Sequence, residues 1–317
     1  MKAALVRNPG DTPAYADFRD PVPSGGAVVV SVTASALSHV TRSRAAGTHY
    51  SAAGDFPFVP GIDGVGRLPD GRRVYFLMPE APFGGMAERV LVDPAHCIVL
   101  PDALDDVTAA ALAVPGMSSW VALTERASFV AGETVLVNGA TGASGRLAVQ
   151  VAKHLGAGKI IATGRNPKAL AELSSLGADI VIPLIEDADA LEAAFLPLFR
   201  DRVDVVLDYL WGTSAERLLV AAAKAGEETV PIRFVQIGSV SARNISLPSA
   251  VLRATALQLL GSGTGSVPPA RIIHAIGQLL QAAVPAGLRI ATRAVPLAQI
   301  AEAWAGEGGA RTVFTIA

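Results

Sequence analysis

Cysteine is almost absent from this chain: Cys97 stands alone in 317 residues. One thiol excludes an internal disulfide and any zinc site built from several thiolates. Charge is also scarce. Asp, Glu, Lys and Arg make up 17% of the residues and sum to −2, so bulk electrostatics would draw neither nucleic acid nor an anionic membrane. The sequence shows no apolar run near the ~20 residues of a membrane span. Met1 to Pro9 is interrupted too soon for a signal peptide. These absences lead us to expect a cytoplasmic protein. What is abundant is apolar: 51% of the residues, which excludes disorder and predicts extensive burial. The length predicts roughly two domains with cores large enough to need no staples.

Proline divides the chain. Eleven of 21 prolines fall between Pro9 and Pro101, and none between Gly116 and Asn166. The first third therefore reads as strands and turns, and the middle as long elements. Ala27 to Ser35 alternates with Val28, Val30 and Val32 on one side; Gly71 to Leu77 and Glu88 to Val92 read as further strands. After Asp105-Asp106 an alanine-rich helical stretch is expected to break at Pro115-Gly116. Strand–helix pairs follow: strand Thr134 to Asn138, helix Gly145 to Leu155, strand Lys159 to Thr163, and helix Pro167 to Leu176 with proline at its first position and Gly177 past its end. Then come strand Asp179 to Ile182, helix Asp187 to Phe199, strand Val203 to Asp208, helix Thr213 to Ala225 and strand Phe234 to Ile237. Such alternation predicts an α/β fold with a parallel sheet covered on both faces. The tail reads as a helix near Ala270 to Ala283, then strand, helix and strand.

The sharpest motif is Gly139-Ala140-Thr141-Gly142-Ala143-Ser144-Gly145, between the strand ending at Asn138 and the following helix. Thr134 to Gly164 spans about the 30-residue unit of a dinucleotide-binding βαβ motif. Gly142 would let backbone N–H groups approach a pyrophosphate, and Gly145 would let the helix pack closely on the strand. The end of the next strand is where an acid usually binds the ribose 2′-hydroxyl of NAD. Here it reads Gly164-Arg165-Asn166-Pro167-Lys168, and no Asp or Glu occurs between Glu133 and Glu172. An arginine suits a 2′-phosphate that a carboxylate would repel. The sequence therefore predicts NADPH, with Arg165 as the main phosphate partner and Lys168 as a helper. Further cofactor positions follow from the carboxyl ends of parallel strands: Asp208-Tyr209 and Ile237-Gly238-Ser239.

Together with further motifs, the glycine loop makes nearly the whole chain resemble the medium-chain dehydrogenase/reductase superfamily, in its zinc-less quinone oxidoreductase branch. Pro60-Gly61-Ile62-Asp63-Gly64-Val65-Gly66, Phe83-Gly84-Gly85-Met86-Ala87-Glu88, Ala113 to Trp120, Val135 to Leu155 and Leu176-Gly177-Ala178-Asp179 carry the likeness. It implies a GroES-like β-barrel catalytic domain, 1–112 and 267–317, around an inserted Rossmann domain, 113–266, with the active site in the cleft. One departure is the short link Val65 to Gly71. The resemblance adds Ser262, within Gly261-Ser262-Gly263, and Arg311 as contact segments. It also places Leu247 to Leu260 where relatives pair, implying a homodimer.

The resemblance also bears on the metal. The positions matching the zinc ligands of the metal-dependent branch hold Ser38, Ile62 and residues near Pro115, none a strong zinc ligand. His39, His49 and Asp63 fit no standard metal spacing. Without a Lewis acid, a quinone or an α,β-unsaturated carbonyl is the easier hydride acceptor, because charge spreads over the conjugated oxygen. Candidate catalytic donors are Tyr50, Ser38 and Ser119, beside the alternatives His39 and Ser118. Each has a plainer reading, as strand-edge packing for Tyr50 and as helix caps for the serines. Tyr75 and Cys97 read as strand residues. The expected function is hydride transfer from NADPH to a small quinone or enone. The alternatives are a non-catalytic or moonlighting NADPH-binding protein, and an enoyl reductase. A short-chain reductase would carry its glycine loop at the N-terminus, whereas here more than 130 residues precede it.

Overall fold

The computed structural model describes residues 1–48, 56–306 and 309–317. The chain divides into two compact units: Met1–Val114 with Ile276–Ala317, and Pro115–Ala275.

The first unit opens with an antiparallel pair, β1 (Lys2–Leu5) and β2 (Ala14–Asp17). It continues through β3 (Val28–Ala36), α1 (His39–Ala45), β4 (Asp63–Arg67), β5 (Arg73–Leu77), β6 (Arg89–Val92) and β7 (Cys97–Val99). The valine alternation read in β3 is the core face: Val30 and Val32 pack with Val74, Phe76, Val90 and Val92. The helix α2 (Asp106–Val121) carries the chain across the boundary between the units.

The second unit is built from β8 (Thr134–Asn138), α3 (Ala143–His154), β9 (Lys159–Gly164), α4 (Pro167–Leu176), β10 (Ile180–Pro183), α5 (Ala188–Arg200), β11 (Val205–Asp208), α6 (Thr213–Ala225), β12 (Ile232–Gln236), α7 (Val251–Ala254) and β13 (Leu257–Gly261). Its six strands are parallel in the order β10-β9-β8-β11-β12-β13. The order reverses direction between β8 and β11, the switch point at which open α/β sheets hold ligands. Leu191, Phe195 and Phe199 of α5 join Leu218 and Leu219 of α6 over Leu136, Val206 and Phe234 of the sheet. The chain returns to the first unit through α8 (Pro269–Ala283), then β14 (Thr292–Pro296), α9 (Ile300–Ala303) and β15 (Arg311–Thr315). Strands β15, β3, β4, β5 and β7 run antiparallel in that order, β14 adds in parallel to β15, and β6 pairs with β3. A parallel Rossmann-type sheet beside a separate, mostly antiparallel sheet is the α/β class expected from the sequence.

Local signals were good guides in the second unit. Asn166 caps α4 through Ala169 N at 3.1 Å, Pro167 starts it, and Gly177 ends it at φ 117°. Two expectations need correction. Helix α2 does not stop at Pro115 but runs through to Val121. Proline removes one helical hydrogen bond, and Ala109 to Ala113 are completely buried, so packing outweighs that loss. The π-turn that follows extends the helical stretch to Arg126. Asp106–Arg126 is thus long and apolar enough to cross a membrane by length and composition, against the expectation that no run approaches a span. Within its most apolar window 67% of the residues are buried inside the protein, as in a core helix.

Candidate functional site

At the carboxyl edge of the parallel sheet, the register of β8 against β9 and β11 puts three polar side chains together. Asn138 and Asp208 face one another as Cα partners, and Thr163 follows the last β8–β9 pair. All three are fully buried. Asn138 Nδ2 donates to Asp208 Oδ1 at 2.8 Å and to Ser214 Oγ at 3.0 Å, while Thr163 Oγ1 donates to Asn138 Oδ1 at 2.7 Å. Thr163 also accepts from Gly139 N through its hydroxyl at 3.1 Å and from Ala140 N through its carbonyl at 2.8 Å. Asp208 Oδ1 takes the amides of Leu210 and Trp211 at 3.1 and 3.2 Å. Burial pushes the Asp208 carboxyl up to about 6, against the opposing pull of these donors.

This network fixes the floor of the glycine loop. Gly139 turns at φ 90°, a left-handed conformation suited to glycine. A Cβ at Gly145 would lie 2.3 Å from the Gly139 carbonyl oxygen, so only glycine lets α3 pack this closely. A Cβ at Gly142 would meet nothing within 4 Å, and no side chain caps α3 at that residue. An uncapped twelve-residue helix whose first residues, Gly142 and Ala143, are exposed offers backbone N–H groups and the positive end of its dipole. The loop fits a pyrophosphate.

The remaining cofactor candidates fall on the same edge. Thr141 and Ser144 are half-buried in the loop, and Thr141 packs where a Cβ on Gly164 would be. Arg165 and Lys168 are exposed where β9 passes into α4, and neither has a bonding partner among the described residues. Ile237 N and Gly238 N bond the Asp208 carbonyl at 2.8 and 3.1 Å, Ser239 is exposed just beyond, and Ser262 N bonds the Gln236 carbonyl at 2.8 Å. Tyr209 N bonds the Asn138 carbonyl at 3.1 Å, and its phenol lies 3.1 Å from Ser118 Oγ. Burial pushes that phenol up to about 12, so it stays a neutral donor near pH 7.

The catalytic candidates are more scattered. Ser119 is fully buried in α2 and donates to the Gly116 carbonyl at 3.0 Å, within its own helix. Its neighbour Ser118 donates to the Pro115 carbonyl at 2.6 Å and lies 3.1 Å from the Tyr209 phenol. Ser38, in the first unit, is the N-cap of α1: its hydroxyl accepts from Thr41 N at 3.0 Å and lies 2.8 Å from Thr41 Oγ1. Tyr50 lies outside the described residues. Burial, with Arg42 and Arg311 nearby, holds the His39 imidazole below its usual range.

The first unit contains a second polar cluster. Asp63 is fully buried and accepts from Tyr75 Oη at 3.0 Å, while its other oxygen, Oδ1, has no hydrogen-bond partner among the described residues. Burial pushes Asp63 up to about 6, opposed by the charge of Arg311. Arg311 is placed here, at the start of β15, and not on the parallel sheet. Among the described residues, no three of His, Cys, Asp and Glu gather as a metal site would require.

Thr163 and Ser214 escaped the sequence reading. Their roles depend on cross-strand register and on where a helix begins, which spacing along one strand does not encode. The polar ending of an otherwise apolar β9 was the available signal.

An uncapped helix after a glycine loop at the switch point of a 3-2-1-4-5-6 parallel sheet defines a dinucleotide-binding protein of the Rossmann type. Comparison with known proteins narrows this. The family described as zinc-binding dehydrogenase matches residues 143–282. A probable NADPH-dependent quinone reductase from Emericella nidulans is 29% identical over 99% of both chains. A 2-methylene-furan-3-one reductase from Solanum lycopersicum is 33% identical over 57% of this chain and 49% of its own. The quinone oxidoreductase of Thermus thermophilus, solved also with NADPH, superposes with a TM-score of 0.81 at 29% identity, covering 99% of this chain and 100% of that one. Over its whole length the chain is similar to quinone oxidoreductases of the medium-chain dehydrogenase/reductase superfamily. The segment matching the zinc-binding dehydrogenase family does not include Ser38, Ile62 or Pro115.

Proposed function

We propose that the protein binds NADPH on its second unit and transfers hydride to a quinone or an α,β-unsaturated carbonyl without a metal. The observation that carries this reading is the carboxyl edge of the parallel sheet. There the open, uncapped start of α3 stands near two unpartnered cations, Arg165 and Lys168, where NAD-binding relatives of the fold keep an acid. Residues 142–144 would hold the pyrophosphate by their backbone N–H groups. Arg165 would hold the 2′-phosphate in a charge-assisted contact. When bound, NADPH supplies the hydride. Tyr209, kept neutral by burial, donates to Ser118, whose own proton goes to the Pro115 carbonyl; this relay stands at the end of β11, where the nicotinamide half would lie. Ser118 and Ser119 both donate back into α2, to the carbonyls of Pro115 at 2.6 Å and Gly116 at 3.0 Å, and both are retained as candidates. Tyr50 and Ser38 are retained as candidate donors toward the acceptor.

The donor set does not suit zinc. Ser38 uses its hydroxyl to cap α1, Ile62 has no donor atom, and Pro115 offers only a carbonyl. A conjugated acceptor needs no Lewis acid, because donors to the developing enolate suffice. The reading also takes the protein as a cytoplasmic homodimer, the latter checked by light scattering.

Titration with both nucleotides tests the cofactor. NADPH is expected to bind at least about tenfold tighter than NADH, and Arg165→Gln to remove most of that preference. Equal or tighter NADH binding rejects it. Turnover on a panel of quinones and enones, before and after chelation, tests the chemistry. NADPH binding with no acceptor reduced favours a non-catalytic NADPH-binding protein. Activity lost on chelation and restored by zinc rejects the metal-free reading.

A further inference from the structure

A cavity of about 290 Å³ opens within the first unit, near the lower end of small-molecule sites. Its wall is mostly apolar, with Phe58, Phe83 and Ile62 among its residues, and four prolines (57, 60, 79 and 82) that have no N–H to offer. The amides of Phe58, Val59 and Phe83 are already bonded to the carbonyls of Val6, Pro82 and Glu80. The Thr41 hydroxyl is engaged with Ser38. Donors for a ligand therefore come chiefly from two guanidinium groups, Arg19 and Arg44.

Neither arginine forms an ion pair among the described residues. The acids near Arg19 are spoken for: Asp17 pairs with Lys2 at 2.9 Å, and Asp20 with Arg89 at 2.9 Å. Arg19 is held against aromatic surface, its guanidinium carbon 5.8 Å from the ring centroids of both Phe18 and Phe83. Arg44 is half-buried on α1, and desolvation there holds its pKa below the usual arginine range, with no carboxylate among the described residues to offset it. Two cations on an apolar wall, one of them partly desolvated and neither ion-paired among the described residues, suit an anion with a flat apolar body.

We propose that this cavity is a binding site for a small aryl carboxylate, its ring against Phe58, Phe83 and the prolines and its carboxylate between Arg19 and Arg44. The site lies wholly in the first unit and does not depend on the hydride-transfer reading, since its test reads binding without turnover.

The experiment is calorimetric titration of the full chain with 2-naphthoate and with its neutral counterpart 2-naphthalenemethanol. Naphthoate is expected to bind at least about tenfold tighter than the alcohol. Arg44→Gln should erase that difference while leaving alcohol affinity in place, and retained alcohol binding shows that the variant still folds. Arg19→Gln should weaken naphthoate by a smaller factor, as its guanidinium is exposed. Equal affinity for the two probes overturns the proposal, as does no binding of either, or naphthoate affinity unchanged in Arg44→Gln. Loss of naphthoate binding in Arg165→Gln, with Arg44→Gln unaffected, would assign the anion to the glycine-loop edge and also overturn it.

Discussion

Each unit buries one aspartate completely, and burial raises both to about 6, yet the two are accommodated differently. Asp208 ends a parallel strand and is surrounded by dipoles: one side-chain amide and two backbone amides converge on Oδ1. Asp63 begins an antiparallel strand and has one direct donor, Tyr75, one bare oxygen, and the charge of Arg311 close by. The pair shows that a similar pKa can arise from a donor network whose geometry is fixed by local chain direction, or from a charge brought in from the far end of the sequence. The first also shapes a ligand loop; the second acts at a distance, since no hydrogen bond or ion pair joins Arg311 to Asp63 among the described residues.

The largest expected effect comes from emptying the donor network. Asp208→Ala leaves Asn138 Nδ2 and the amides of Leu210 and Trp211 without their acceptor, and should cost about 4 kcal/mol in urea unfolding, with NADPH affinity falling alongside. Asp208→Asn keeps an oxygen for the same three donors, so its cost should stay within about 1 kcal/mol. A loss in the Asn variant as large as in the Ala variant would mean that the charge, not the acceptor geometry, matters.

Arg311→Met tests the other arrangement. Removing the cation strands Asp63, and the expected cost is about 3 kcal/mol at pH 8. The pH dependence discriminates. A buried carboxyl whose folded pKa is raised destabilises the fold when ionised. That penalty is present above about pH 6 and disappears as pH falls toward the ordinary aspartate value near roughly 4. The loss in Arg311→Met should therefore shrink markedly at pH 5, whereas a pH-independent loss would show that Arg311 acts by packing alone. For the same reason, both buried carboxyls of the unaltered protein should favour the fold more at pH 5 than at pH 8.

The smallest effect is expected from Tyr75→Phe, about 1.5 kcal/mol, through loss of the single hydrogen bond to Asp63. The Asp63 carboxyl should then titrate above 6, readable by carboxyl-carbon NMR. An unchanged titration would show that Arg311 alone sets it.

Legibility in the sequence followed the same divide. In the second unit, the strand ending at Asn138, the loop 139–145, and the start of α4 at Pro167 and its stop at Gly177 could be read directly, because each depends on neighbours a few residues away. Strand β13 escaped, since as an edge strand it is half-exposed and lacks the continuous apolar signature of β8. In the first unit, Asp63 could be seen only as part of a motif, and Arg311 only as part of a late segment. Nothing local joins residues separated by more than 240 positions.

The sequence by itself determined the succession of strands and helices and the glycine loop with its missing acid. These are properties of residue identity and short-range periodicity. Only the tertiary structure decided that β8 lies beside β11, that Asn138, Thr163, Asp208 and Ser214 share one buried network, and that Arg311 stands by Asp63. Strand order and register are set by the summed burial of whole faces and by closing long loops, which no local window contains. It also decided that α2 passes through Pro115, where buried alanines outweigh the hydrogen bond that proline removes.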